Sequence, residues 1–251
     1  TPAILDILDD PNGDGSDDDA VRATFFMTGK HVRDYPGIVQ EVWNRGHEIG
    51  NHAWNEEVLA FKSRATIEKS IEETDKALTE ALGPDFAPPR FFRAPQGRSF
   101  LTVARIVREQ DRILVSASVL GNDWEEPNVS NPSLIEEMVL KEAAAGDIIA
   151  LHDSDDRKVD PRDVRRDATV KAMRGILAEL RSRGLRVVRV GELLATHRPT
   201  VLTERPLFWM LVGLSLAGAF YSGVRAWRVH PPTRNRTGEQ GEDLNADDPP
   251  G

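Results

Sequence analysis

The 251-residue sequence contains no cysteine. Disulfides, thiolate metal sites and cysteine nucleophiles are therefore all excluded. Positive charge is in deficit: 32 Lys and Arg face 41 Asp and Glu, for a net charge of -9. Binding nucleic acid needs a concentrated basic face, so a nucleic-acid partner is not expected. Aromatic residues are scarce at 6%. Long apolar runs are absent with one exception, Pro206 to Val224 (PLFWMLVGLSLAGAFYSGV), which carries no charge. As a helix it would be about 28 Å long, close to the hydrocarbon thickness of a bilayer. Arg205 precedes it, Arg225 and Arg228 follow it, and Phe208, Trp209, Tyr221 and Trp227 lie near its ends, as in an aromatic belt. The alternative is a buried core helix, but the segment is apolar on every face and follows the last folded-looking element. The expectation is a single-pass transmembrane helix at 206–224, after a linker at 197–205 and before a disordered tail at 225–251. Arg225, Arg228, Arg234 and Arg236 favour a cytoplasmic tail and an extracytoplasmic domain at 1–196.

What is present in 1–196 is an alternation of strand-length apolar runs and amphipathic helical patterns. Strands are expected at Ala23–Met27, His47–Gly50, Arg90–Arg93, Ile113–Val119, Ile148–His152 and Arg186–Val190. Thr66–Leu82 repeats Ile67, Ile71, Leu78 and Leu82 at helical spacing and stops at Gly83-Pro84. Further helices are expected at Phe100–Glu109, Pro132–Ala145 and Asp167–Arg183, with a last helical turn opening at Gly191. Repeated βα units give a parallel sheet or barrel, whose chemistry sits at the carboxyl ends of the strands.

Unusual residues gather at those ends. His52 and Glu56 follow one strand; if they share a helical turn they fall on one face, and both are competent ligands for a divalent ion. His152, beside Asp153, ends another strand and suits a general acid or base. Arg93 offers a fixed fork for a carboxylate, and Trp124 beside Asp123 a flat face on which sugars pack. His47 reads as structural, closing the preceding turn. The loop Asp10–Asp19 (DPNGDGSDDD) mimics the start of a Ca²⁺ loop but has Val21 where Glu is required, so a solvated acidic insertion is the expectation.

Taken in order, GHEIGNHAWNE, FRAPQG, NDW and LHD, with TPAILDIL and ATFFMTG before them, resemble the NodB-like polysaccharide deacetylases, carbohydrate esterase family four. The resemblance covers about Thr1 to Thr196. It implies a distorted (β/α)7 barrel, here lacking its first strand, and hydrolysis of N-acetyl or O-acetyl groups from polysaccharides such as chitin or peptidoglycan. It also implies a divalent metal, Zn²⁺ or alternatively Co²⁺, Mn²⁺ or Ni²⁺. By resemblance His152 is the general acid, Asp123 orients it, Arg93 positions the base, and Gln96 contributes its backbone N–H to the oxyanion. Trp124 and Leu151 would line the acetyl pocket, and His52 would ligate the metal. Two departures stand out. The family's Asp-Asp pair, source of the base and a ligand, would precede Thr1, so a longer natural chain is expected, with an upstream strand and, before it, an export signal or another membrane segment. The family's second metal His is replaced by Glu56, whose added negative charge weakens the Lewis acid. A catalytically inactive, membrane-anchored glycan-binding relative is the competing expectation.

Overall fold

The first elements follow directly from apolar spacing. Ile4, Leu5, Ile7 and Leu8 are the buried face of helix α1 (Pro2–Asp9). It packs on Met173 and Leu177 of a later helix, Asp167–Ser182. The computed structural model describes residues 1–153 and 167–196. These belong to the first of two units, Thr1–Arg198; the second, Pro199–Gly251, lies outside the described residues. So does the apolar run at 206–224. Among the described residues no helix is long and apolar enough to cross a membrane.

Strand β1 (Thr24–Met27) leads into the short helices α2 (Gly29–Asp34) and α3 (Pro36–Asn44), then β2 (Glu48–Asn51). Helix α4 (Arg64–Leu82) opens on Ser63, whose hydroxyl accepts the Thr66 N–H, and stops at Gly83. Its Ile67 and Ile71 are fully buried, each contributing about 2 kcal/mol of apolar burial. Next come β3 (Phe91–Phe92), α5 (Leu101–Glu109), β4 (Ile113–Leu114) and β5 (Val119–Leu120). The described chain finishes with α6 (Pro132–Glu142), β6 (Ile149–Ala150), α7 (Asp167–Ser182) and α8 (Val190–Thr196).

All pairings are parallel. One sheet has the order β1-β2-β3-β4, the other pairs β5 with β6. The two share an apolar interior: Phe91, Val115 and Val190 are buried there, with Phe26, Ile113 and Ile148 packed against them. Helices cover the outside, α4 and α5 on one flank and α6 and α7 on the other.

The α/β expectation holds, with two corrections to the strands. The expected strand at 113–119 is two short ones, because Ser118 ties the chain to its neighbour through its side chain: its hydroxyl accepts the Ile148 N–H and donates to Asp147. The expected strand at 186–190 forms no ladder. Its C-terminal end is held by side chains instead, the Val190 N–H donating to Thr24 Oγ1 and the following Gly191 N–H to Glu48 Oε2. Among the described residues the ladders therefore close no continuous seven-stranded barrel.

Candidate active site

The candidate residues fall into two groups, each at the carboxyl ends of parallel strands. The first joins the loops after β2 and β3. His52 is largely buried, and its Nδ1–H donates to the Arg93 carbonyl at 2.8 Å. That bond fixes the tautomer and leaves Nε2 with the lone pair, 3.4 Å from Glu56 Oε1. Two ligands at 2.0–2.1 Å on a tetrahedral ion stand about 3.3–3.4 Å apart, so this pair has the spacing of two donors to one cation. Among the described residues no third His, Asp or Glu completes a group able to hold a metal.

The same two loops are tied again at Gln96, whose side-chain amide donates to the Glu56 carbonyl at 2.9 Å. Gln96 is in the left-handed region (φ 56°, ψ 19°). The N–H groups of Gly97 and Arg98 close the turn by bonding Ala94 and Pro95, so the turn does not consume the Gln96 N–H. Ala53 is also left-handed (φ 62°), and the carboxamide of Asn51 holds it there. Asn51 Oδ1 accepts the Ala53 N–H, while Nδ2 donates to the Ile71 carbonyl and to Asp75, which pairs with Arg112. Asn51 was not among the sequence candidates, nor was the Asp75–Arg112 pair behind it.

Arg93 is largely but not fully buried and has no carboxylate partner among the described residues. Among the described residues its Nε has no hydrogen-bond partner, and burial lowers its pKa to about 10. Its guanidinium lies over the Phe26 ring at 4.4 Å. That ring rests on Gly50, where a Cβ would meet it at 2.5 Å.

The second group joins the loops after β5 and β6. Asp123 is fully buried. Burial alone would raise its pKa, yet the bonds it accepts from the His152 ring and backbone and from Thr169 hold it below the usual carboxylate range. The His152 backbone N–H and Thr169 hydroxyl donate to Oδ2, and His152 Nδ1–H donates to Oδ1, each at 2.8 Å. The His152 side chain is about half exposed (47%), so Nε2 faces away from the carboxylate. The Trp124 ring stands edge-on to the imidazole, centroids 4.9 Å apart. Thr169, on α7, was missed by the sequence reading. Leu151 packs into the apolar layers under α6 and under α1, its methyl occupying the space where Gly121 lacks a side chain.

His47 is fully buried. Its Nδ1 accepts the Ala23 N–H, consistent with a structural role. In the acidic loop, Asp10 spends its carboxylate on the N–H groups of Gly13, Asp14 and Gly15, which is the bonding of a self-capped loop.

Polysaccharide deacetylase is the family model that matches, over residues 1–112. The chain is 34% identical over 189 residues to a chitooligosaccharide deacetylase of Azorhizobium caulinodans, covering 73% of this chain and 83% of that one. It is 33% identical over 196 residues to a peptidoglycan-N-acetylglucosamine deacetylase of Bacillus cereus, covering 77% and 81%. Among solved structures, a family 4 acetyl xylan esterase from Clostridium thermocellum in complex with a cobalt ion aligns with a TM-score of 0.63. Its sequence identity is 31%, over 78% of this chain and 83% of that one.

Proposed function

Because the chain belongs to the polysaccharide deacetylase family, we propose that it hydrolyses N-acetyl groups, with O-acetyl groups as a second acyl type, on a cell-wall or exported polysaccharide. The observation that carries this reading is the Asp123–His152 pair. A fully buried, ionised carboxylate holds Nδ1–H of an imidazole whose other nitrogen faces outward. That arrangement prepares an acid at Nε2.

The residues at the other loops fit a divalent metal in part: His52 Nε2 and Glu56 Oε1 present one nitrogen and one oxygen donor at ligand-pair spacing. When bound, such an ion polarises the acetyl carbonyl and acidifies water. Zn²⁺ suits this donor set, with Co²⁺, Mn²⁺ and Ni²⁺ as alternatives. The Gln96 N–H would stabilise the oxyanion that forms as the water oxygen adds to the acetyl carbon. Arg93 would hold the carboxylate that takes the proton from that water. His152 then gives its Nε2 proton to the sugar nitrogen as the C–N bond breaks, releasing acetate and a free amine. Asp123 keeps the imidazole in the productive tautomer and stabilises its protonated form. Trp124 restricts its swing.

The test is acetate release from an acetylated chitooligosaccharide and from acetylated peptidoglycan, with and without chelator. Release abolished by His152→Ala and by chelator, and restored by added Zn²⁺, supports the reading. Release that persists in His152→Ala overturns the assignment of the acid. A second reading, glycan binding without catalysis, is favoured by the two-donor set at His52 and Glu56; retained glycan binding with no release would establish it. We also read 206–224 as an anchor that places the domain outside the membrane. Recovery of the chain in the soluble fraction after cell lysis would exclude it.

A further inference from the structure

Two phenyl rings are left in water next to the candidate site. Phe61 is 80% exposed and Phe100 53%, with their centroids 5.5 Å apart. Exposed large apolar groups that form a contiguous patch mark interaction sites. The backbones that carry them are fixed. Leu59, two residues before Phe61, and Val103, three after Phe100, are buried in one apolar cluster with Ala53 and Ala94. Ala53 follows His52 and Ala94 follows Arg93. One floor therefore supports both the catalytic loops and the aromatic pair, and the rings are presented at little entropic cost.

We propose that Phe61 and Phe100 form a sugar-stacking subsite that holds the polysaccharide beyond the unit being deacetylated. The proposal rests on the function given above. The surroundings of the pair select this occupant. Lys62, Ser63, Arg98 and Ser99 flank the rings in the chain, and Lys62 pairs with Glu57 at 2.9 Å. A bilayer or an apolar protein surface covering the rings would strip these groups of water without replacing it. A pyranose unit offers an apolar C–H face to each phenyl ring and hydroxyls to the polar groups around it. A polymer also has further units to place, whereas the chemistry engages one.

The test measures binding by the full chain to the dimer and the hexamer of N-acetylglucosamine, alongside acetate release. The hexamer should bind more tightly than the dimer. The double variant Phe61→Ala, Phe100→Ala should weaken hexamer binding about ten-fold, about 1.4 kcal/mol, and leave dimer binding unchanged. Equal hexamer affinity in the chain and the double variant overturns the subsite while leaving the deacetylase reading intact. Absence of both binding and release in the unaltered chain defeats that reading, and the subsite with it. If the double variant keeps its hexamer affinity but loses self-association, or loses binding to phosphatidylglycerol-containing vesicles, the pair is assigned to a second copy or to lipid and the subsite is rejected.

Discussion

The two halves of the candidate site solve the problem of a buried charge in opposite ways. Asp123 is surrounded by donors: two from His152 and one from Thr169 saturate a carboxylate with no solvent exposure. Arg93 is a largely buried cation whose Nε has no partner among the described residues and whose guanidinium lies over the face of a phenyl ring. The first arrangement is complete within the described residues. The second holds an unmet demand for an anion. A saturated charge stabilises the fold and prepares chemistry together, whereas an unsatisfied one costs stability and is justified by what it binds.

Breaking the saturated half should have the larger effect. Asp123→Ala leaves the His152 and Thr169 donors buried without an acceptor and should cost about 3 kcal/mol or more, read by denaturant unfolding. Asp123→Asn keeps the shape but alters the tautomer of His152, so acetate release should fall at least about a hundred-fold with a much smaller stability loss. In the unsatisfied half the sign reverses. Arg93→Met removes a desolvated charge while keeping the apolar stem, so stability should rise by about 1 kcal/mol as activity falls. If Arg93→Met unfolds the protein as Asp123→Ala does, the contrast between the halves is wrong. At the donor pair, Glu56→His exchanges a carboxylate for imidazole and should strengthen Zn²⁺ binding about ten-fold by calorimetry; His52→Ala should weaken it by a similar factor.

A separate effect, spread over a pH range instead of set by one substitution, concerns His47, away from both halves. Burial, reinforced by the cation Arg22, lowers its pKa from 6.5 to about 4. The unfolded chain therefore takes up this proton before the folded one does. Stability should fall as pH drops from about 6.5 to about 4 and then level off, by up to about 3 kcal/mol in total. His47→Gln retains an acceptor for the Ala23 N–H and should flatten that part of the pH profile of unfolding.

Helices were legible because their buried faces recur every three or four residues, as Ile67, Ile71 and Leu78 do on α4. The chemistry-bearing residues were legible because His52, Arg93, Asp123 and His152 each follow an apolar run. Their supports were not. Asn51 acts through residues 20 and 24 positions away, and Thr169 reaches Asp123 across 46. Nothing local distinguishes either from an ordinary strand or helix residue. The lost strand at 186–190 has the composition of a strand; what decides against it is that side chains of Thr24 and Glu48 capture the N–H groups at its C-terminal end, Val190 and Gly191. The exposure of Phe61 and Phe100 was hidden for the same reason, since sequence does not say which aromatic the core leaves out.

Gly50 contributes no side chain to anything, yet it sets a height. The phenyl ring of Phe26 lies where a methyl group would be, and the guanidinium of Arg93 lies on that ring. A single added carbon on the strand would lift the whole stack toward the mouth of the site. The level at which this protein offers its positive charge is thus determined two layers down, by a hydrogen atom.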